Sequence, residues 1–197
     1  MGHDAILLAS ASARRSQLLD QIGVRHRVVP ADIDETPIAG EPPADYVTRL
    51  AAAKAQAVAG RQGSAPQCPV LAADTTVALD GRLFGKPEGE DDCVDMLTAL
   101  AGRTHEVFTA LALWSGGGLS QALNRSAVTF RPISEQECRR YWASGEPAGK
   151  AGAYAIQGLG AVFVARLEGS FSGVMGLPLF EAAALLDAAG VSRWQRR

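Results

Sequence analysis

The 197-residue chain lacks a charge excess, a disulfide framework and any long apolar run. Nineteen Lys and Arg against 21 Asp and Glu leave a formal net charge of −2. A broad electrostatic grip on nucleic acid needs a basic surplus, so none is expected. A phosphate pocket stays open, because it needs only a few local cations. The three cysteines, Cys68, Cys93 and Cys138, are odd in number and far apart. They fit neither a zinc site nor a disulfide scaffold and suggest a reduced, cytoplasmic setting. No apolar run approaches a bilayer span, so no membrane is expected. The opening MGHDAILLAS has no basic region followed by a long apolar one, so no signal peptide is expected. GxGxxG and GxxxxGK[ST] are both missing, which removes the two standard nucleotide loops. No Ser or Cys nucleophile motif stands out. His3, His26 and His105 show no metal-ligand spacing, and His105, on an expected strand, reads as structural. There is no internal repeat and no low-complexity segment.

What is present centres on VLAADTTVALDGRLFGKP, Val70 to Pro87. Its apolar start reads as a buried strand. Asp80-Gly81 is a hairpin dipeptide, since Gly accepts the positive φ of such turns. Asp74 therefore falls inside or at the end of a core strand, where a carboxylate is costly unless it is paired, hydrogen-bonded or bound to metal. It either caps a turn or does chemistry. Lys86 follows the hairpin and could swing back towards it, and an acid with a base there suggests an anionic substrate.

Upstream, Ala5 to Ala9 is a short apolar strand, followed by Ser10-Ala11-Ser12 and a helix from Ala13 to Gly23. Ser12 is a candidate N-cap. Arg14 and Arg15 stand in the first turn, against the helix dipole. Broken local rules mark functional sites. Helix amides, two hydroxyls and two guanidiniums would cradle a phosphate, unless the Arg side chains are simply solvated. Arg25 to Val29 alternates like a strand. Asp32, Asp34 and Glu35 then form an acidic cluster, either a solvated loop or oxygen ligands for a hard cation. Pro43 opens a helix to about Ala59. On it Lys54 recurs with Val47, Leu50, Ala51 and Ala55 near the buried stripe, unless its head reaches water.

Downstream, a polar loop spans Arg61 to Gln67, and a helix runs from about Glu88 to Gly102. Two long strands, Thr104 to Trp114 and Leu119 to Phe130, are joined by Gly116-Gly117-Gly118. Ser134 with Glu137 fits a capping box. Ala153 to Gln157 and Ala161 to Leu167 read as strands, Gly169 to Pro178 as a loop without an element, and Leu179 to Ala189 as a closing helix. The basic tail Arg193 to Arg197 is expected to fray. Interleaved helices and strands with a long hairpin predict an α/β domain with a mixed sheet.

Six stretches, LLASASARRSQLL, ADIDETP, AADTTVALDGRLFGKP, GRTHEVFTALAL, KAGAYAIQGLGAVFV and GSFSGVMGLPL, resemble in order the successive motifs of the Maf family, nucleoside triphosphate pyrophosphatases. The resemblance spans nearly the whole chain. It departs at Ala13, where the family's S-x-S-P-R-R carries proline, so the stiffness of that turn differs. It implies one Maf-like domain over residues 1–197: an α/β fold with a mixed twisted sheet, helices on both sides and a central cleft between two lobes, like inosine triphosphatases. The implied reaction splits a nucleoside triphosphate into monophosphate and pyrophosphate.

On the same resemblance, Asp74 matches the catalytic acid that serves as general base. Ser10, Arg14, Arg15, Lys54 and Lys86 match phosphate contacts, and Glu35 helps Asp74 hold a divalent metal, Mg²⁺, Mn²⁺ or Co²⁺. Arg14, Thr75 and Gln157 match the branch acting on dTTP and UTP. The branch acting on 7-methyl-GTP carries Trp, Gln and Glu there and is the alternative, with a nucleotide-binding regulator of septum formation as a second. Gln157 offers both a donor and an acceptor, as the uracil edge requires. The implied partners are a nucleoside triphosphate and, at most, a second copy of the chain, with no nucleic acid and no membrane.

Overall fold

The computed structural model describes residues 3–63, 68–116 and 118–195. Residues 64–67 of the polar loop, Gly117 of the glycine turn, Met1-Gly2 and the final Arg196-Arg197 lie outside the described residues. The described elements run β1 (Ile6–Leu8), α1 (Ala13–Gln21), β2 (His26–Val28), α2 (Pro43–Ala59), β3 (Val70–Leu79), β4 (Arg82–Phe84), α3 (Glu90–Leu100), β5 (Thr104–Ser115), β6 (Gly118–Phe130), α4 (Glu135–Ala143), β7 (Val164–Glu168), α5 (Phe171–Met175) and α6 (Leu179–Ala188). The strands form one seven-stranded mixed sheet, in the order β2-β1-β3-β5-β6-β7, with β4 paired to β3. The expected mixed α/β sheet is present.

The chain divides into two compact units. The first comprises Met1–Asp74, Thr109–Asn124 and Gly176–Arg197, and the second Thr75–Phe108 and Arg125–Met175. The long strands β3, β5 and β6 each contribute one stretch to each unit.

In the first unit β1 lies between β2 and β3 and is parallel to both, with Ile6 opposite His26 and Leu8 opposite Leu71. Parallel strands are buried on both faces and read as unbroken apolar runs; Val70, Leu71, Ala72 and Ala73 are all fully buried. α1 starts after Ser12 as expected, but the Ser12 side chain makes no capping bond; its backbone N–H instead donates to Ser10 Oγ at 3.2 Å. Gly23 ends this segment at φ +65°, and a Cβ there would come within 2.9 Å of the Trp194 backbone. α2 begins at Pro43 and ends at Ala59, as read from Pro43 and the spacing. Its buried stripe is Val47, Leu50, Ala51, Lys54, Ala55 and Val58. Burying each large aliphatic side chain contributes about 1.5–3 kcal/mol.

In the second unit Asp80 and Gly81, both at positive φ (52° and 79°), turn β3 into antiparallel β4. Acids Glu90, Asp91 and Asp92 open α3, matching the dipole. The Ser134–Glu137 capping box opens α4 as expected. α3 and α4 pack on a core that includes Phe84, Leu97, Leu100, Phe130, Tyr154 and Phe163. His105 lies fully buried in this unit, its Nε2 2.9 Å from the Tyr154 hydroxyl. Burial pushes its pKa down to about 4, so it stays neutral, which fits the structural role. The three cysteines are free thiols. Burial pushes the Cys93 thiol up to about 11, which leaves it inert.

Three expectations for this unit fail. Ala153 to Gln157 is not a strand: Ala151–Ala153 is a 3-10 turn, and the chain turns again at Ile156-Gln157. Gly152 and Ala153 both sit at positive φ (67° and 58°), which no strand tolerates. Ala161 to Leu167 is strand only from Val164, because Leu159–Phe163 is another 3-10 turn. Gly169 to Pro178 does hold an element, α5, whose first turn is capped by Ser170 Oγ accepting from Gly173 N–H at 2.9 Å. Among the described residues no helix is long and apolar enough to cross a membrane.

Candidate active site

The carboxyl ends of β1 and β2 and the middle of β3, parallel to β1, come together on one side of the first unit. Ser10 follows β1, Glu35 lies on the loop after β2, and Asp74 stands in β3 three residues past Leu71, which faces Leu8 of β1. Ligands of open α/β sheets bind outside these carboxyl ends.

Asp74 and Lys54 are buried at 6% and 7% exposure. The Lys54 Nζ donates to Asp74 Oδ1 at 2.6 Å and lies 2.7 Å from Glu35 Oε1. Asp74 therefore does not cap a turn, and the head of Lys54 does not reach for water. Burial raises the Asp74 pKa above the ordinary carboxylate value; Lys54 and then Arg15 pull it back, while Glu35 adds to the rise. The Arg15 Nη1 donates to Ser10 Oγ at 3.0 Å and its Nε to the Gly176 carbonyl at 2.8 Å. Burial lowers the Arg15 pKa, and the Asp74 field opposes that shift. Arg14 is half-buried beside it and its pKa is likewise lowered by burial. Neither guanidinium points away as a purely solvated head.

The acidic cluster divides. Asp34 accepts from the Thr36 N–H and hydroxyl at 2.9 and 2.6 Å, which is the solvated-loop arrangement. Glu35, half-exposed, turns in to Lys54. Two further residues hold this loop. The Tyr46 hydroxyl donates to the Glu35 carbonyl at 3.0 Å, and Arg49 donates to both Glu41 oxygens at 2.6 Å. Burial, then Asp74, then Glu35 raise the Tyr46 pKa, so the field of both acids reaches its ring. Tyr46 went unread in the sequence, although it stands four and eight residues before Leu50 and Lys54, on one helix face.

Thr75, Lys86 and Gln157 belong to the second unit. Thr75 is half-buried directly after Asp74 in β3, and Lys86 is exposed after β4. Gln157 is exposed on a turn closed by Gly158 N–H donating to the Ala155 carbonyl at 3.2 Å. The Gly152 N–H donates to the Gly85 carbonyl at 3.0 Å, which ties the approach to that turn to the residue before Lys86.

Among the described residues no group of three or more His, Cys, Asp or Glu side chains could hold a metal ion. The carboxylates of Asp74 and Glu35, gathered on one lysine, are the acids at hand. Such a donor set suits Mg²⁺, which takes one or two protein carboxylates and completes its shell with water and substrate phosphate oxygens.

Fold and site together define an α/β protein that gathers a buried acid, a buried lysine and two arginines beside the carboxyl end of a central parallel strand. A sequence model described as Maf-like protein matches residues 5–189. A protein of Nitrosomonas europaea named dTTP/UTP pyrophosphatase is 50% identical, with 96% of each chain covered. One of the same name from Burkholderia thailandensis is 52% identical, covering 95% of this chain and 94% of its own. The solved structure of the Staphylococcus aureus Ham1 protein covers 93% of this chain and 98% of its own, at 14% identity and a TM-score of 0.47. The chain belongs to the Maf family.

Proposed function

We propose that this protein hydrolyses dTTP and UTP to the nucleoside monophosphate and pyrophosphate. The observation that carries the proposal is the buried Lys54 between Asp74 and Glu35, beside Arg15 on Ser10, in a chain half identical to two dTTP/UTP pyrophosphatases. The nucleotide pool of the cytoplasm is the proposed setting. Arg14, Thr75 and Gln157 favour pyrimidine substrates over 7-methyl-GTP.

In the proposed reaction a water oxygen attacks the α-phosphorus. The bond from that phosphorus to the bridging oxygen breaks, and pyrophosphate leaves with its electron pair. The Asp74 carboxylate takes the water proton as general base. Lys54 holds Asp74 in place and favours its ionised form. Arg15, Arg14 and Ser10 meet the phosphates at an α1 N-terminus that no side chain caps. Lys86 is proposed as a further phosphate contact. Asp74 and Glu35 would hold a divalent cation, which when bound neutralises phosphate charge. The side chains of Asp74, Glu35, Lys54, Arg14 and Arg15 together carry one surplus positive charge, which suits a polyanion.

The acid limb of the rate follows from Asp74. A base must be ionised to act, and burial raises the Asp74 pKa. Plotted against pH, kcat/KM for UTP should therefore fall on the acid side at a pH above the ordinary aspartate value of about 4. A rate that stays level down to that value would remove Asp74 as the base.

Arg15→Ala and Lys86→Ala test the phosphate contacts. Each should lower kcat/KM by about tenfold or more for UTP, dTTP and CTP alike, since one charged hydrogen bond is lost and phosphate is common to all three. A defect confined to one base would contradict a phosphate role.

A further inference from the structure

The turn that carries Gln157 is held from outside itself. Glu146 lies just beyond α4, eleven residues before Gln157. Its Oε1 accepts from the Tyr141 hydroxyl at 2.7 Å and from the Gly160 N–H at 2.9 Å. Its Oε2 accepts from the Leu159 N–H at 3.0 Å. The Tyr141 oxygen in turn accepts from the Ala155 N–H at 3.1 Å. One carboxylate and one phenol thus grip the backbone on both sides of Gln157. All of these residues belong to the second unit.

The local sequence is fitted to this grip. A Cβ on Gly158 would lie 2.1 Å from Glu146 Oε2, and one on Gly160 would lie 2.6 Å from the Tyr141 oxygen. Gly158 and Gly160 therefore leave room for the two gripping atoms. Burial alone would raise the Glu146 pKa. Hydrogen bonds from Tyr141, Gly160 and Leu159 outweigh it, and the carboxyl stays below its ordinary value. Glu146 is thus ionised at neutral pH and accepts from three donors at once.

We propose that Glu146, acting through Tyr141 and the 155–160 backbone, is the positioning residue that sets base selectivity by holding the Gln157 turn in one pose. This rests on Gln157 reading the base. Uracil presents an acceptor at O4 beside a donor at N3, and cytosine presents the reverse order. An amide can serve either order by turning over, so a loose turn lets it meet both edges. A held turn keeps the amide in one unsymmetrical surrounding, where its two orientations differ in energy and one order is favoured.

The test is the ratio of kcat/KM for UTP to that for CTP, in which the fraction of active enzyme cancels. Glu146→Gln keeps the side chain's shape but puts an N–H₂ against one of the backbone donors. The ratio should fall by about tenfold, the usual effect of one lost hydrogen bond. Gln157→Ala should lower it comparably, and the double variant should fall no further than Gln157→Ala alone. Should Glu146→Gln not accumulate as folded protein, Tyr141→Phe, which removes the hydroxyl joining Glu146 to Ala155, should show the same fall. If Gln157→Ala lowers the ratio but neither Glu146→Gln nor Tyr141→Phe does, Glu146 has no part in selectivity. If Gln157→Ala leaves the ratio unchanged, Gln157 does not read the base, and the positioning role falls with it.

Discussion

Asp74→Asn should hydrolyse UTP about two to four orders of magnitude more slowly than the wild type, the usual worth of a general base. Asparagine keeps the shape and still offers an oxygen to Lys54, but it cannot take a proton. Nucleotide affinity should survive, because the proposed phosphate contacts lie on Ser10, Arg14, Arg15, Lys54 and Lys86. The pH dependence of stability should change as well. The folded pKa of Asp74 is raised, so its ionisation costs stability as the pH rises through that pKa. Asp74→Asn escapes that cost but leaves buried Lys54 paired with Glu35 alone, so its melting temperature should vary less with pH than that of the wild type. Steady-state hydrolysis and thermal melts across pH check both halves. Near-normal turnover would place the base elsewhere, with Glu35 the first group to examine.

Lys54→Met should be nearly as damaging, for a different reason. Methionine fills much of the lysine stem's volume but leaves Asp74 and Glu35 facing each other without the cation between them. Removing one partner of a buried ion pair costs about 3–5 kcal/mol when the other must stay charged. Asp74 can escape most of that cost by taking up a proton, which is the state in which it cannot act as a base. Loss of one positioned charged group in a catalytic site typically lowers turnover by about two to three orders of magnitude. The acid limb of kcat/KM should also move to higher pH, because the main group pulling the Asp74 pKa back is gone. A Lys54→Met enzyme that slows with its acid limb unmoved would show that Lys54 serves phosphate alone and does not tune Asp74.

Much of the first unit was legible because its signals are local. Pro43 marks the start of α2, and Lys54 falls on the buried stripe by spacing alone. Asp74 stood out as the one charge in an apolar strand. Two arginines without an acid marked the start of α1. Ala153 to Gln157 and Ala161 to Phe163 turn out not to be strands, and the cause is distant. Tyr154, Ile156, Val162 and Phe163 have strand propensity, but Tyr141 takes the Ala155 amide and Glu146 those of Leu159 and Gly160, which leaves the chain coiled. Glu35 is a further case. Composition could not separate it from Asp34, one residue away, since only the fold turns one to Lys54 and the other to Thr36. The strap made by Tyr46 and Arg49 escaped for the same reason: their partners lie on the preceding loop. Two lobes were expected only from the family resemblance; where the chain divides could not be read from the residues, because β3, β5 and β6 each serve both units without a break in pattern.

The central claim is that water attacks the α-phosphorus and pyrophosphate leaves. Hydrolysis of UTP in water enriched in ¹⁸O, with the products resolved by ³¹P NMR or mass spectrometry, tests it directly. The proposed chemistry yields equal amounts of UMP and pyrophosphate, with one labelled oxygen on UMP and none on pyrophosphate. Label in pyrophosphate, or UDP and labelled phosphate as products, would contradict it.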